Sequence, residues 1–296
     1  MIIYQETPVQ EIKDPLLEEV QVRLLVKRED LNHPYISGNK WWKLKYNLEE
    51  ARRLGKKKLL TFGGAYSNHI YATAAAAREV GFESIGIIRG EEKHPLNSTL
   101  TFAKSSGMQL HYISREAYRK KNELEFIESW HKQIGDFYLI PEGGTNELAV
   151  KGCEEFAIKI LAEIDFDVLC LPVGTGGTMA GIVKGLEGKK EAVGIAVLKN
   201  GEFLVDEIKT LIGDNVNIYR NWSVLTSYHH GGYAKAPKEL LAFIAKFKKD
   251  KNLPLDPVYT GKLMWAVLEE VKKGRFDRGS SVLAIHTGGL QGLSHY

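Results

Sequence analysis

Cysteine is scarce in this chain of 296 residues: only Cys153 and Cys170 are present, and they form no CxxC pair. That argues against a disulfide framework or a cysteine-bound zinc, and the expected state is two buried free thiols in a reducing cytoplasm. Long apolar runs are also missing. The uncharged stretch Val168 to Val183 is sixteen residues and rich in glycine and threonine, too short and too polar to span a bilayer. The opening Met1-Ile2-Ile3-Tyr4-Gln5 has no basic region followed by an apolar core, so no signal peptide is expected. Nor is there an excess of one charge. The net charge is +3 and the pI near 8.6, a balance that gives no reason to expect nucleic acid. The basic clusters Lys56-Lys57-Lys58 and Lys248, Lys249 and Lys251 fall at expected helix ends, where cations complement the dipole. HExxH, clustered Cys/His and GxSxG are all absent, which leaves metal and serine-hydrolase chemistry without support.

What is there is core-forming sequence. With 44% hydrophobic content the chain can bury a large interior, and its length favours two domains over one. Strands are expected at Val22–Val26, Lys58–Phe62, Ser84–Ile88, Leu110–Ile113, Phe137–Ile140, Val168–Pro172, Ala192–Val197 and Ser281–His286. Helical stripes lie between them. Leu44, Leu48, Ala51 and Leu54 form one, with Gly55 where a C-terminal cap belongs. Cys153, Phe156, Ala157, Ile160, Leu161 and Ile164 form another. Such alternation predicts an α/β fold of open, mostly parallel sheets with right-handed crossovers. No low-complexity linker interrupts the chain, so any domain division must come from the fold itself.

Glycine-bearing segments follow several of these strands. In Ile36-Ser37-Gly38-Asn39-Lys40, Ser37 or Asn39 can cap a helix that starts near Lys40. The positive end of a helix disfavours an ammonium and favours the neutral amine that forms an imine. Spacing alone does not choose Lys40 over Lys43 or Lys45; the Ser-Gly-Asn flank, which permits close backbone approach, favours Lys40. Gly63-Gly64-Ala65-Tyr66-Ser67-Asn68-His69 opens an alanine-rich helix whose first amides suit a carboxylate, although Ser67 or Asn68 could equally serve as a plain N-cap. Gly174-Thr175-Gly176-Gly177-Thr178 starts a helix in a form that cradles phosphate. It is not a dinucleotide fingerprint, because Met179 stands where a third glycine belongs, and it is not a Walker loop, because no Gly-Lys-Ser/Thr follows. Gly231-Gly232-Tyr233, Asp256 to Lys262 and His286-Thr287-Gly288-Gly289 are further candidate segments, with packing as the ordinary role of either tyrosine. An early lysine, a polar helix start and a late glycine-threonine loop are the parts that a pyridoxal phosphate enzyme needs.

Arg28-Glu29-Asp30, Ser37 to Lys40, Ser67 to His69, the Gly174 loop, Pro257 to Lys262 and His286 to Gly289 occur in the order of one family. From about Val26 onward the chain resembles the pyridoxal-phosphate-dependent 1-aminocyclopropane-1-carboxylate deaminase and D-cysteine desulfhydrase family. The resemblance implies the fold type II architecture of the tryptophan synthase β subunit. In it, residues 1–41 and 140–296 would form a larger cofactor domain and residues 42–139 a smaller α/β domain. By the same resemblance Lys40 would carry the pyridoxal phosphate, Asn68 would bond its ring oxygen, and Gly174, Thr175, Gly176, Gly177 and Thr178 would take its phosphate. Ser67, Asn68 and His69 would hold the substrate carboxylate, and Tyr233 and Tyr259 would act near the substrate amine or move protons. The deaminases carry glutamate at the position of Thr260 and leucine at that of Thr287. With Thr260 expected at the pyridine nitrogen, a neutral hydroxyl there weakens the electron sink and suits β-elimination from D-cysteine better than ring opening. The implied partners are a small amino-acid substrate and a second copy of the chain, with no metal, nucleic acid or membrane. The alternatives are the deaminase reaction and a carrier of pyridoxal phosphate without turnover. The stretch 91–105 departs from the family pattern.

Overall fold

Strands whose residues are apolar at every position must be covered on both faces, and this chain supplies helices to do so. The computed structural model describes residues 2–295. Strand β1 (Val9–Ile12) and helix α1 (Pro15–Val20) lead to β2 (Arg23–Lys27), α2 (Asn39–Arg53), β3 (Lys58–Gly64), α3 (Asn68–Val80) and β4 (Glu83–Arg89). Next come α4 (Ser98–Ser105), β5 (Met108–Ile113), α5 (Arg115–Arg119), α6 (Leu124–Ile134) and β6 (Tyr138–Ile140). The chain then runs through α7 (Glu147–Glu163), β7 (Val168–Val173), α8 (Gly177–Leu186), β8 (Glu191–Ala196), α9 (Leu204–Ile212) and β9 (Trp222–Leu225). It closes with α10 (Lys238–Lys251), α11 (Thr260–Lys272) and β10 (Ser281–Ile285). Each strand expected from sequence is present, with ends shifted by one or two residues. The short strands β1 and β9 were not expected.

Two sheets result. One is ordered β1-β2-β10-β7-β8-β9 and the other β5-β4-β3-β6. Every pairing is parallel except β1 with β2. β10 lies between β2 and β7, with Val282 opposite both Leu24 and Val168. Helices cover both faces of the six-stranded sheet. Trp42, Leu44, Phe156 and Ile182 belong to the core on one side, and Ile244, Phe247, Leu263 and Val267 to the core on the other. The Cys153–Phe156–Ala157–Ile160 stripe of α7 faces α8, and the approach is close enough that a side chain on Gly181 would begin 2.4 Å from the Cys153 Cβ. Both thiols are buried, and burial pushes Cys153 up to about 11 and Cys170 up to about 12. Among the described residues no helix is long and apolar enough to cross a membrane.

Candidate active site

Parallel sheets gather functional loops at the carboxyl ends of their strands, where helix N-termini converge. Here one cavity of about 570 Å³ lies between such ends of both sheets. Its wall includes Lys40 after β2, Ser67, Asn68 and His69 after β3, Gly143 and Thr145 after β6, Gly174 to Gly176 with Thr178 after β7, and Thr287 after β10. Tyr233 and Tyr259 complete it. Segments far apart in sequence therefore meet in one place. Among the expected site residues, Gly177 and Thr260 are not in the wall.

Lys40 is set by what precedes it. The N-cap of α2 is Gly38, with φ 71° and no side-chain cap, rather than Ser37 or Asn39. Asn32 clasps Gly38 from both sides: its amide donates to the Gly38 carbonyl at 3.0 Å, and its Oδ1 accepts from the Gly38 N–H at 3.0 Å. A Cβ on Gly38 would sit 2.0 Å from the Thr287 carbonyl oxygen, so the segment after β10 lies directly on this turn. Asn39 donates to Thr178 Oγ1 at 2.8 Å instead of capping, which laces the start of α2 to that of α8. The Lys40 Nζ donates to the Gly143 carbonyl at 3.3 Å. Its pKa is lowered to about 8, chiefly by burial, as an imine-forming amine requires.

Sequence spacing left Lys43 and Lys45 open, and the structure separates them. Lys45 points outward and pairs with Glu155 at 2.7 Å. Lys43 is buried and also reaches the cavity, where its Nζ donates to Thr145 Oγ1 at 2.8 Å. Burial, and then the neighbouring Lys40, hold its amine well below the ordinary lysine range. Thr145 shares a hydrogen bond of 2.6 Å with Thr175. The N-cap of α8 is Gly176, without a side-chain cap, and a side chain on Gly177 would begin 3.3 Å from Lys43 Nζ. Open helix amides, threonine hydroxyls and the Lys43 amine thus surround one pocket, a donor set that fits a phosphate. Lys43 and Thr145 were not assigned roles from sequence. The glycine pair Gly143-Gly144 following a strand was the available signal.

At the start of α3, Ser67 is the N-cap and its Oγ accepts from the Ile70 N–H at 3.3 Å. The hydroxyl proton stays free to donate, so the capping and ligand-binding roles are compatible. No acceptor is seen for the amides of Asn68 and His69 among the described residues. The Asn68 side chain accepts from Gln291 Nε2 at 2.6 Å. The His69 ring turns inward. Thr61 Oγ1 gives its one proton to the Ile140 carbonyl at 2.8 Å, so at 2.7 Å from His69 Nε2 it must accept, which fixes the Nε2–H tautomer. Burial, then Lys40 and Lys43, keep this imidazole neutral. His69 can therefore offer a ligand its backbone amide but not a positive charge.

Tyr259 donates to the Tyr233 oxygen at 3.5 Å, and the two rings meet edge-on. Burial raises both phenols, that of Tyr259 well above 10, so near neutral pH both carry their protons and act as donors. Lys262 holds this region from behind, donating to the His229 and Gly232 carbonyls at 2.8 and 2.7 Å. Thr260 is the residue that the sequence led us to expect at the pyridine nitrogen. It is fully buried at the start of α11, outside the cavity wall. Its hydroxyl donates to Asp256 Oδ1 at 2.7 Å and accepts from the Asp256 N–H at 2.8 Å. Thr287, the second residue of that pair, does line the cavity.

The sequence profile of pyridoxal-phosphate dependent enzymes matches residues 2–288. A Pyrococcus horikoshii protein provisionally named 1-aminocyclopropane-1-carboxylate deaminase is 32% identical over 309 residues, covering 100% of this chain and 93% of its own. The mitochondrial bifunctional D-cysteine desulfhydrase/1-aminocyclopropane-1-carboxylate deaminase of Arabidopsis thaliana is 32% identical over 91% of this chain and 73% of its own. The solved structure of an ACC deaminase homologue superposes with a TM-score of 0.87 at 30% identity, covering 100% of this chain and 93% of that one.

Proposed function

The chain belongs to the family of pyridoxal-phosphate dependent enzymes, and on that premise we propose that it is a D-cysteine desulfhydrase-like lyase. It would release sulfide, pyruvate and ammonia from a small D-amino acid. The carrying observation is the neutral wall at Thr287. The acids in the cavity wall are Glu142 and Glu207, and Asp256, which is outside it, is occupied by the hydroxyl of Thr260 and by the amides of Val258, Tyr259 and Thr260. The Thr287 hydroxyl would face a ring nitrogen held there, and a hydroxyl, unlike a carboxylate, would not hold the nitrogen's proton by charge.

Lys40 would anchor the cofactor, and Asn68 would contact its ring oxygen. Gly174 to Thr178, with Lys43 and Thr145, would hold its phosphate. Lys43, beside a phosphate dianion, would regain its proton and serve as an ammonium. When bound, the cofactor withdraws electrons from the substrate's α-carbon. The open amides of Asn68 and His69, with the Ser67 hydroxyl, would take the substrate carboxylate. Tyr233 and Tyr259, kept protonated, would deliver a proton to a departing group. The separate four-stranded sheet supports a smaller domain of residues 42–139 set against residues 1–41 and 140–296. The reading includes a homodimer in the cytoplasm, the latter supported by the two buried free thiols.

The names of the relatives favour a second reading, 1-aminocyclopropane-1-carboxylate deaminase. Steady-state assays of holoenzyme on D-cysteine, D-chloroalanine and the cyclopropane acid decide. The expected result is 2-oxoacid and ammonia from the first two, with sulfide from D-cysteine, and little or no ring opening. Efficient ring opening without turnover of D-cysteine would establish the deaminase, and no product from any of them would indicate a carrier. Ser67→Ala tests the carboxylate site. It should keep the cofactor, cost about 1 kcal/mol of stability through the lost cap, and raise KM about tenfold or more through the lost donor. A KM that stays at the wild-type value would leave Ser67 as a cap alone.

A further inference from the structure

Arg89 ends β4 at the rim of the cavity, and the proposed chemistry makes no use of it. Its guanidinium overlies Gly64, with Nη2 lying 3.5 Å from where a side chain on that glycine would begin. Gly64 opens the turn into Ser67, and Arg89 therefore stands beside the helix start that receives the carboxylate. The guanidinium carbon is also 5.5 Å from the centre of the Tyr118 ring. Lys121 lies 5.3 Å from the same ring centre and pairs with Glu142 at 3.3 Å. That pair neutralises itself, and none of the ion pairs among the described residues includes Arg89. The other acid in the wall, Glu207, is next to Ile208, which packs on Gly176 of the phosphate loop. The substrate end of the cavity thus carries one net positive charge, borne by a planar group rested on an aromatic ring, with N–H donors suited to an oxyanion.

We propose that Arg89 forms an anion subsite for the substrate's side chain, so that the preferred D-amino acids carry a second negative group, such as a sulfonate, sulfate ester or carboxylate, beyond the α-carboxylate. The inference rests on the reading that the start of α3 holds the α-carboxylate of a D-amino acid. The charge is well placed for this work. Burial raises the Tyr233 phenol and the Arg89 charge partly offsets that rise; the guanidinium would equally stabilise negative charge on a departing β-substituent.

D-alanine and D-aspartate differ by a β-carboxylate, which is not a leaving group for β-elimination, and provide the test. Each is titrated into holoenzyme, and Kd is read from calorimetry or from the absorbance of the bound cofactor, with no turnover required. Wild type is expected to bind D-aspartate about tenfold tighter than D-alanine, the low end for a charged hydrogen bond at a partly solvated site. In Arg89→Gln the ratio of the two Kd values should fall to about one. Equal Kd values in wild type, or a ratio that survives Arg89→Gln, would overturn the subsite while leaving the D-amino-acid reading intact. Equal weakening of both ligands would assign the guanidinium to the α-carboxylate and overturn it as well. Binding of neither ligand would overturn both readings together.

Discussion

Lys40→Ala is expected to abolish covalent attachment of the cofactor and to lower turnover by about three orders of magnitude or more. Borohydride reduction of the wild type followed by peptide mapping should find the label on Lys40. Lys43→Ala should keep that label and weaken cofactor affinity about ten- to a hundredfold, the scale of one lost contact to a charged group. The difference follows from what each amine touches. Lys40 meets only a backbone carbonyl, whereas Lys43 is committed to Thr145 beside the phosphate loop. The pH dependence has a definite sign. Because burial lowers Lys40 to about 8 from 10.5, the neutral amine accumulates as pH rises through about 8. Capture of pyridoxal phosphate by apoprotein should accelerate over that interval, well before an ordinary lysine would titrate. A label on Lys43, or a capture rate that is flat across that interval, would reverse the assignment.

Glu29→Ala should have the largest effect on stability. This carboxylate is completely buried. It accepts from the Tyr4 hydroxyl at 2.9 Å, Thr7 at 2.6 Å, Asn32 at 2.9 Å and the Trp42 indole at 2.8 Å. Removing it strands three buried donors, on Thr7, Asn32 and Trp42, and the half-buried Tyr4 hydroxyl, each buried one costing about 1–3 kcal/mol if left alone. After partial relaxation the expected loss is on the order of 4–5 kcal/mol, a large share of the total stability of an ordinary domain. Asn32 is also the residue that clasps Gly38, so the variant should lose the fixed start of α2 and release cofactor more readily. Urea unfolding of the apo and holo forms measures both effects. A loss below about 1 kcal/mol would mean that water replaces the carboxylate, contrary to the cost of an unpaired buried donor.

The interior strands were legible because their chemistry is local and uniform. β7 is buried at all six positions and reads as an unbroken apolar run. The edge strands were not. In β1 only Ile12 is buried, and β9 is half-buried throughout, so neither shows a run or a clear alternation. The three glycine-bearing loops were visible for a similar reason, since each interrupts the pattern directly after a strand. Lys40 and Lys43 could not be told apart because residues three apart share a helix face; only Gly143 and Thr145, about a hundred positions onward, give them different surroundings. The cap of α2 was misassigned for the same kind of reason. Gly38 is held by Asn32 and by the Thr287 carbonyl, partners that no local rule foresees. The partner of the Thr260 hydroxyl was likewise not foreseen. Asp256, four residues earlier, engages the hydroxyl.

The position of β10 has a consequence for the timing of synthesis. A chain emerging from the ribosome has already released Lys40, Ser67 and the Gly174 loop by the time β9 is complete. Its larger sheet still has a gap between β2 and β7, because the strand that fills it is made last. Until β10 enters, β2 and β7 lack the strand that spaces them, the start of α2 and the Gly174 loop are joined through α7 and the Asn39–Thr178 bond, and no carbonyl of Thr287 rests on Gly38. A nascent chain therefore holds Lys40, Ser67 and the Gly174 loop before the wall at Thr287 exists. Capture of pyridoxal phosphate is expected to follow the entry of β10.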